Sequence, residues 1–130
     1  MPDKRILVIE DDIDVRRGLG IRLAANHYGV GFAGDASSGL AEVERQRPDL
    51  IILDLGLPGE DGYVVLSKLA ASGEFAATPV IVLSARDRRA NEQRVKEAGA
   101  QVFCQKPVDN EELLGRIREL LSPGDRPSRE

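Results

Sequence analysis

The sequence predicts an α/β fold, a single doubly wound domain in which five parallel strands form a sheet with helices on both faces. Short apolar runs alternate along the chain with stretches of helical period. The runs cover 6–9, 30–33, 50–53, 80–83 and 102–105, and the helical stretches cover roughly 13–26, 37–46, 61–72, 87–98 and 110–121. This alternation predicts five strand–helix units in which the helices are the crossover connections between parallel strands.

The composition of each run and the residues between the runs support these elements in order. The first, third and fourth runs contain only Val, Ile and Leu, which is typical of parallel strands buried on both faces. Pro48 precedes the third strand, Pro79 precedes the fourth, and Gly99 ends the fourth helix. The fifth helix starts after a Lys-Pro pair, with Asp109 or Asn110 as its N-cap. Its apolar stripe consists of Leu113, Leu114, Ile117, Leu120 and Leu121.

The composition describes one domain, which we place at 4–121. The chain has 130 residues, of which 42% are hydrophobic, enough for an aliphatic core of ordinary size. Eighteen Lys and Arg against 22 Asp and Glu give a net charge of −4, which argues against nucleic-acid binding by this segment. No membrane-spanning stretch, targeting leader or disulfide framework is evident, so we expect a cytoplasmic domain. Residues 122–130 are rich in Pro, Gly and charge, and we expect a disordered tail or the start of a linker to an absent output domain.

Reactive side chains follow four of the five predicted strands. Glu10 and Asp11 follow the first strand, Asp54 the third, Ser84 the fourth and Lys106 the fifth. In an open parallel sheet, ligands bind at the carboxyl ends of the strands, so one pocket can hold all of these groups. Asp54 stands at an abrupt exit from a strand into a loop, and we take it as the candidate nucleophile.

Four motifs together resemble the receiver domain of two-component response regulators. They are Ile-Leu-Val-Ile-Glu-Asp-Asp at 6–12, Pro-Asp-Leu-Ile-Ile-Leu-Asp-Leu-Gly-Leu-Pro-Gly-Glu-Asp-Gly at 48–62, Val-Ile-Val-Leu-Ser-Ala at 80–85 and Lys-Pro at 106–107. Each motif is weak alone, but their order and spacing make the resemblance specific over about residues 4 to 121. It implies a flavodoxin-like fold with strand order 2-1-3-4-5 and a phosphoacceptor aspartate at Asp54.

The acidic residues predict a divalent metal site. Crowded carboxylates raise one another's pKa, whereas an oxygen-preferring cation such as Mg²⁺ reverses that effect and bridges incoming phosphoryl oxygens. Asp11 and Asp54 are expected to be direct ligands of Mg²⁺, or of Mn²⁺. The resemblance implies that Glu10 acts through a coordinated water and that the backbone carbonyl of Gly56 supplies a further oxygen. Asp12 either joins this cluster or only caps the first helix.

Three further residues are assigned roles in phosphotransfer and switching. The ammonium of Lys106 can pair with Asp54 and then with a phosphoryl oxygen, and the resemblance implies a cis Lys-Pro bond that points the lysine inward. The hydroxyl of Ser84 can bind the phosphoryl group only after it arrives, which couples phosphorylation to movement of the following helix. That helix offers little to the core beyond Ala90, Val95 and Ala98, so few apolar contacts hold it in a single arrangement. Phe103 matches the family's switch aromatic, although a core phenylalanine explains it equally well.

The resemblance also implies the partners. A sensor histidine kinase or phosphotransfer protein would donate to Asp54, and a downstream output domain or target would meet the face formed by the fourth helix, fifth strand and fifth helix. A phosphorylation-dependent homodimer remains an open alternative. On this interpretation the domain is not an enzyme, because it catalyses only its own phosphotransfer and dephosphorylation.

Other functional classes fit less well. A Mg²⁺-dependent aspartyl-phosphate phosphatase needs a general acid two residues after the nucleophile, where this chain has Gly56. A flavin-binding protein of similar fold needs a Ser/Thr/Gly-rich loop after the first strand, where Glu10-Asp11-Asp12 would repel a phosphate. A receiver-like module that binds partners without phosphorylation stays as a third alternative.

Overall fold

The computed structural model describes residues 4–122. The strands are β1 (Lys4–Ile9), β2 (Tyr28–Ala33), β3 (Leu50–Leu53), β4 (Val80–Ser84) and β5 (Val102–Gln105). The helices are α1 (Ile13–Ala25), α2 (Ala36–Gln46), α3 (Gly62–Ala71), α4 (Arg88–Glu97) and α5 (Asn110–Leu121). These elements lie within a residue or two of the predicted ones. Apart from Ser122, the predicted tail lies outside the described residues.

The five strands form one parallel sheet in the order β2-β1-β3-β4-β5, which confirms the predicted fold class. Along β1, Ile6 and Val8 pack with α1 and α5, whereas Leu7 and Ile9 pack with α2, α3 and α4. Successive side chains of a strand point to opposite faces, so an all-apolar strand requires apolar cover on both sides. No helix among residues 4–122 is long and apolar enough to cross a bilayer.

Every one of the five described helices begins at an aspartate. The N-caps are Asp12, Asp35, Asp61, Asp87 and Asp109. In each case the side chain accepts a hydrogen bond from a backbone N–H in the first turn, which stabilises a helix by about 1 kcal/mol. Of the two N-caps predicted for α5, Asp109 and Asn110, the structure shows Asp109. Asp12 caps α1.

One detail of α4 differs from the sequence interpretation. We expected Ala90, Val95 and Ala98 to face the core. Val95 is fully buried and Ala98 packs against the core, but Ala90 is exposed and Asn91 is buried in its place. The periodicity of a helix with so few apolar residues leaves its rotation poorly specified, and the hydrogen bonds of Asn91 decide it.

Candidate functional site

The acidic cluster lies at the carboxyl ends of two neighbouring strands. Ile9 pairs with Leu53 in the register of β1 and β3, so the residues that follow them leave the sheet side by side. One carboxylate oxygen from each of Glu10, Asp11 and Asp54 lies within 4.8 Å of the others. Glu10 and Asp54 are buried and Asp11 is exposed, which gives the cluster an open side facing solvent.

Lys106 reaches this cluster from the end of β5. Its Nζ donates to Oε1 of Glu10 at 2.6 Å and lies 3.5 Å from Oδ2 of Asp54. The sequence interpretation paired Lys106 with Asp54, and the closer contact to Glu10 was missed. The Lys106–Pro107 peptide bond is cis, as the resemblance implied.

The charges in the cluster shift the pKa values of two groups. Burial raises the pKa of Glu10, although hydrogen bonds from Lys106 and from the backbone N–H of Asp12 act in the opposite direction. Burial alone would lower the pKa of Lys106, but the hydrogen bond to Glu10 and the charge of Asp54 outweigh it and raise that pKa. Lys106 is therefore protonated at neutral pH and places one positive charge beside the acidic cluster.

The oxygens of Glu10 already have partners within the protein. Oε1 accepts from Lys106, and Oε2 accepts from the backbone N–H of Asp12 at 3.1 Å. The exposed carboxylate of Asp11 has greater freedom to approach an ion directly. The carboxylate of Glu10 is therefore more constrained by the protein than that of Asp11.

Two glycines shape the loop that follows Asp54. The N–H of Gly56 donates to Oδ1 of Asp54 at 3.3 Å, and a Cβ placed on Gly56 would meet no atom within 4 Å. A Cβ on Gly62 would lie 2.6 Å from the carbonyl oxygen of Asp54 and 2.7 Å from Cα of Leu55. Gly62 was not identified as a site residue from the sequence. The structure shows that only glycine lets α3 start so close to the backbone of Asp54.

Ser84 and Phe103, the two residues assigned to switching from the sequence, are both buried. Ser84 is the last residue of β4 and is 1% exposed, and its Oγ accepts a hydrogen bond from the N–H of Arg86 at 3.1 Å. Phe103 is 3% exposed and packs in the core beneath α4. The guanidinium of Arg88 lies 5.4 Å from the centre of its ring. The inward position of Phe103 suits both a core residue and a switch residue.

The single histidine and the single cysteine of the chain lie apart from the site. His27 lies in the connection between α1 and β2, with a φ of 71°, at the opposite end of the sheet from the acidic cluster. Cys104 is buried in β5, and burial raises the pKa of its thiol. Neither residue belongs to the cluster.

The fold and the site together define a class of protein. Five parallel strands in the order 2-1-3-4-5 with five surrounding helices constitute the flavodoxin-like fold of CheY. A family model described as the response regulator receiver domain matches residues 6–118. The chain therefore belongs to this family and is a receiver domain of two-component signalling.

Known relatives support this assignment. The chain is 41% identical over 117 residues to the response regulator MprA of Mycobacterium leprae (strain TN), covering 90% of this chain and 50% of that protein. It is 39% identical over 117 residues to the response regulator PleD of Caulobacter vibrioides (strain NA1000 / CB15N), covering 89% of this chain and 26% of PleD. The chain thus spans half or less of the length of these two relatives.

Solved structures agree with the family and the fold. A CheY-like response regulator receiver domain protein from Methanospirillum hungatei JF-1 superimposes with a TM-score of 0.85 at 29% identity, covering 92% of this chain and 94% of the other. The BeF3-activated N-terminal receiver domain of RstA from Klebsiella pneumoniae also gives 0.85, at 27% identity, covering 91% of this chain and 98% of the other.

Proposed function

We propose that this domain is a phosphoacceptor switch in which Asp54 receives a phosphoryl group. The supporting observation is the convergence of Asp54, two further carboxylates and the ammonium of Lys106 at one end of the sheet. The donor would be the phosphohistidine of a sensor histidine kinase or of a phosphotransfer protein. A carboxylate oxygen of Asp54 attacks the phosphorus, the phosphorus–nitrogen bond breaks, and the imidazole leaves with its electron pair and takes up a proton.

The donor set fits a hard divalent cation, Mg²⁺ or Mn²⁺. All three side chains offer carboxylate oxygens, and the backbone carbonyl of Gly56, an exposed residue two positions past Asp54, would supply a further oxygen. Asp11 and Asp54 would be direct ligands, and Glu10, held by Lys106, would act through a water. When bound, the ion supplies charge that neutralises the carboxylates and the incoming phosphoryl oxygens.

Lys106 would stabilise the negative charge that develops during transfer. Its Nζ already lies 3.5 Å from Oδ2 of Asp54, and its side chain is 23% exposed. A positive group fixed before the reaction costs little reorganisation when the phosphoryl oxygens arrive. After transfer, the same ammonium would pair with a phosphoryl oxygen.

Ser84 would report the modification to the rest of the domain. Its buried hydroxyl would bind a phosphoryl oxygen on Asp54, and the loop after β4 would move with it. Movement of α4, with Phe103 as the aromatic beneath it, would change the face formed by α4, β5 and α5. That face would bind an output domain, a separate target or a second phosphorylated copy. In this role the domain turns over no separate substrate.

Intact-protein mass spectrometry tests the acceptor chemistry. The protein is incubated with acetyl phosphate or phosphoramidate, in the presence of Mg²⁺ or of a chelator, and compared with Asp54→Asn. We expect the gain of one phosphoryl group in the wild type with Mg²⁺, and no gain in the variant or with the chelator.

The matched control is Asp49→Asn, which changes an aspartate that precedes β3 rather than one that follows it. Asp49 accepts a hydrogen bond from the N–H of Arg5 and lies at the amino end of the strand. It should be phosphorylated like the wild type. Full phosphorylation of Asp54→Asn would place the acceptor elsewhere and contradict the proposal.

A further inference from the structure

Helix α4 is held against the domain mainly by polar contacts. Only Asn91 and Val95 of this helix are buried, and of these only Val95 is apolar. Because apolar burial provides most of the stability of a packed helix, α4 depends on hydrogen bonds and ion pairs for its position. Two of these contacts come from the start of α3.

The start of α3 makes a clasp with α4 and with the loop before it. Oδ2 of Asp61 pairs with Nη2 of Arg86 at 3.0 Å, and the hydroxyl of Tyr63 donates to Oδ1 of Asn91 at 2.8 Å. We call Asp61, Tyr63, Arg86 and Asn91 the α3 clasp. Asp61 caps α3 through its other oxygen, Oδ1, which accepts from the N–H of Tyr63.

Arg86 connects this clasp to the phosphorylation site. Its backbone N–H donates to Oγ of Ser84, and its Nη2 also reaches the carbonyl oxygen of Leu55 at 3.4 Å. Its own carbonyl oxygen accepts from Nε2 of Gln105 at 3.2 Å. Arg86 therefore joins the hydroxyl of Ser84, the loop that follows Asp54 and the end of β5.

Asn91 is the buried half of the clasp. Its Nδ2 donates to the carbonyl oxygen of Asp87 and its Oδ1 accepts from Tyr63. The guanidinium of Arg94 covers the ring of Tyr63, with Cζ 3.8 Å from the ring centre. A buried amide that loses a partner is destabilised, so the hydroxyl of Tyr63 favours the arrangement in which α4 lies as described.

We propose that the α3 clasp positions the loop between β4 and α4 and holds α4 in its unphosphorylated arrangement. This inference rests on the proposed function. When Ser84 moves to bind the phosphoryl group, it displaces the backbone of Arg86, whose N–H is bonded to Oγ of Ser84, and with it the start of α4. The clasp contacts are then lost. Their free energy opposes the switch, so binding of the phosphoryl group must outweigh it before the domain changes arrangement.

Two variants weaken the clasp while leaving the local fold in place. Tyr63→Phe removes one hydroxyl and keeps the ring beneath Arg94. Asp61→Asn removes the charge that attracts Arg86 and keeps an oxygen to cap α3. The matched controls are Tyr28→Phe, at the β2 edge of the sheet, and Asp35→Asn, which changes the N-cap of α2.

The first measurement is amide hydrogen exchange on α4, made without Mg²⁺ or phosphodonor. A net hydrogen bond contributes enough that Tyr63→Phe should speed exchange of α4 by about two- to tenfold. The Asp61–Arg86 pair is partly exposed, so Asp61→Asn should speed exchange by up to about fivefold. The control variants should exchange on α4 like the wild type. Unchanged exchange on α4 in both clasp variants would overturn the proposal.

The second measurement is the concentration of beryllium fluoride, a phosphoryl mimic, that half-shifts the α4 amide resonances in the presence of Mg²⁺. In each clasp variant, the beryllium fluoride concentration that half-shifts the resonances should fall by the same factor by which the exchange rate of α4 rises. Response at the wild-type concentration would show that the clasp does not oppose switching. If the wild type itself does not respond, the proposed function fails, whereas the exchange experiment still tests the clasp.

Discussion

Lys106 pairs more closely with Glu10 than with the phosphoacceptor candidate Asp54. Its Nζ lies 2.6 Å from Oε1 of Glu10 and 3.5 Å from Oδ2 of Asp54. Glu10 thus holds the ammonium within reach of Asp54 without placing it in full contact. A phosphoryl group on Asp54 would bring new acceptor oxygens into competition with Glu10 for the same ammonium.

Removing the ammonium of Lys106 should uncouple phosphorylation at Asp54 from the movement of α4. We expect Lys106→Ala to retain Mg²⁺ binding, because the three carboxylates remain, and to lose most of the beryllium fluoride response of α4. Amide chemical shifts of α4, recorded with and without beryllium fluoride, provide the measurement. Lys68→Ala, which removes an exposed lysine on α3, is the control. A wild-type response of α4 in Lys106→Ala would exclude the coupling role.

Neutralising Glu10 should weaken Mg²⁺ binding even though we propose that Glu10 reaches the ion only through a water. Losing an outer partner of a metal site commonly costs about 10- to 100-fold in affinity, so we expect a loss of that order for Mg²⁺ in Glu10→Gln. Titration calorimetry with Mg²⁺ measures it, and Glu44→Gln, on the exposed surface of α2, should bind like the wild type. Equal affinity in both variants would remove Glu10 from the site.

The raised pKa of Lys106 predicts a loss of stability in alkaline solution. A group whose folded-state pKa exceeds its unfolded value stabilises the fold fully below the unfolded value and ceases to do so as pH rises through the folded one. For Lys106 the loss begins near its ordinary pKa of 10.5. The free energy of unfolding of the wild type should fall above that pH more steeply than that of Lys106→Met. Urea denaturation at several pH values measures the difference, and parallel curves would refute it.

Substitution of the two glycines near Asp54 should affect stability to very different extents. A methyl group on Gly62 would overlap the backbone of Asp54 and Leu55, so Gly62→Ala should lower the free energy of unfolding by about 1–3 kcal/mol. Gly56→Ala enters open space and should change it by less than about 0.5 kcal/mol. Chemical denaturation of both variants provides the test. Similar stabilities would show that α3 can shift away from Asp54 at little cost.

The sequence by itself determined the order of the elements, the strand order through its family resemblance, and the end of the sheet at which the chemistry lies. These features depend on local periodicity and on the geometry of parallel strands, whose carboxyl ends must share one edge. For that reason the sequence alone predicts that Glu10, Asp54 and Lys106 lie together. The sequence likewise narrowed the cap of α5 to Asp109 or Asn110, because capping involves only neighbouring residues, and the structure shows Asp109.

The tertiary structure alone decided which side chains pair across the fold. Lys106 and Glu10 are 96 positions apart in the sequence, and their contact depends on loop paths and rotamers that no local pattern encodes. The same holds for the tight approach at Gly62 and for the contact of Tyr63 with Asn91. The sequence interpretation wrongly turned Ala90 rather than Asn91 toward the core, because α4 has almost no apolar period. Its orientation is decided by partners on α3, which only the assembled fold brings within reach.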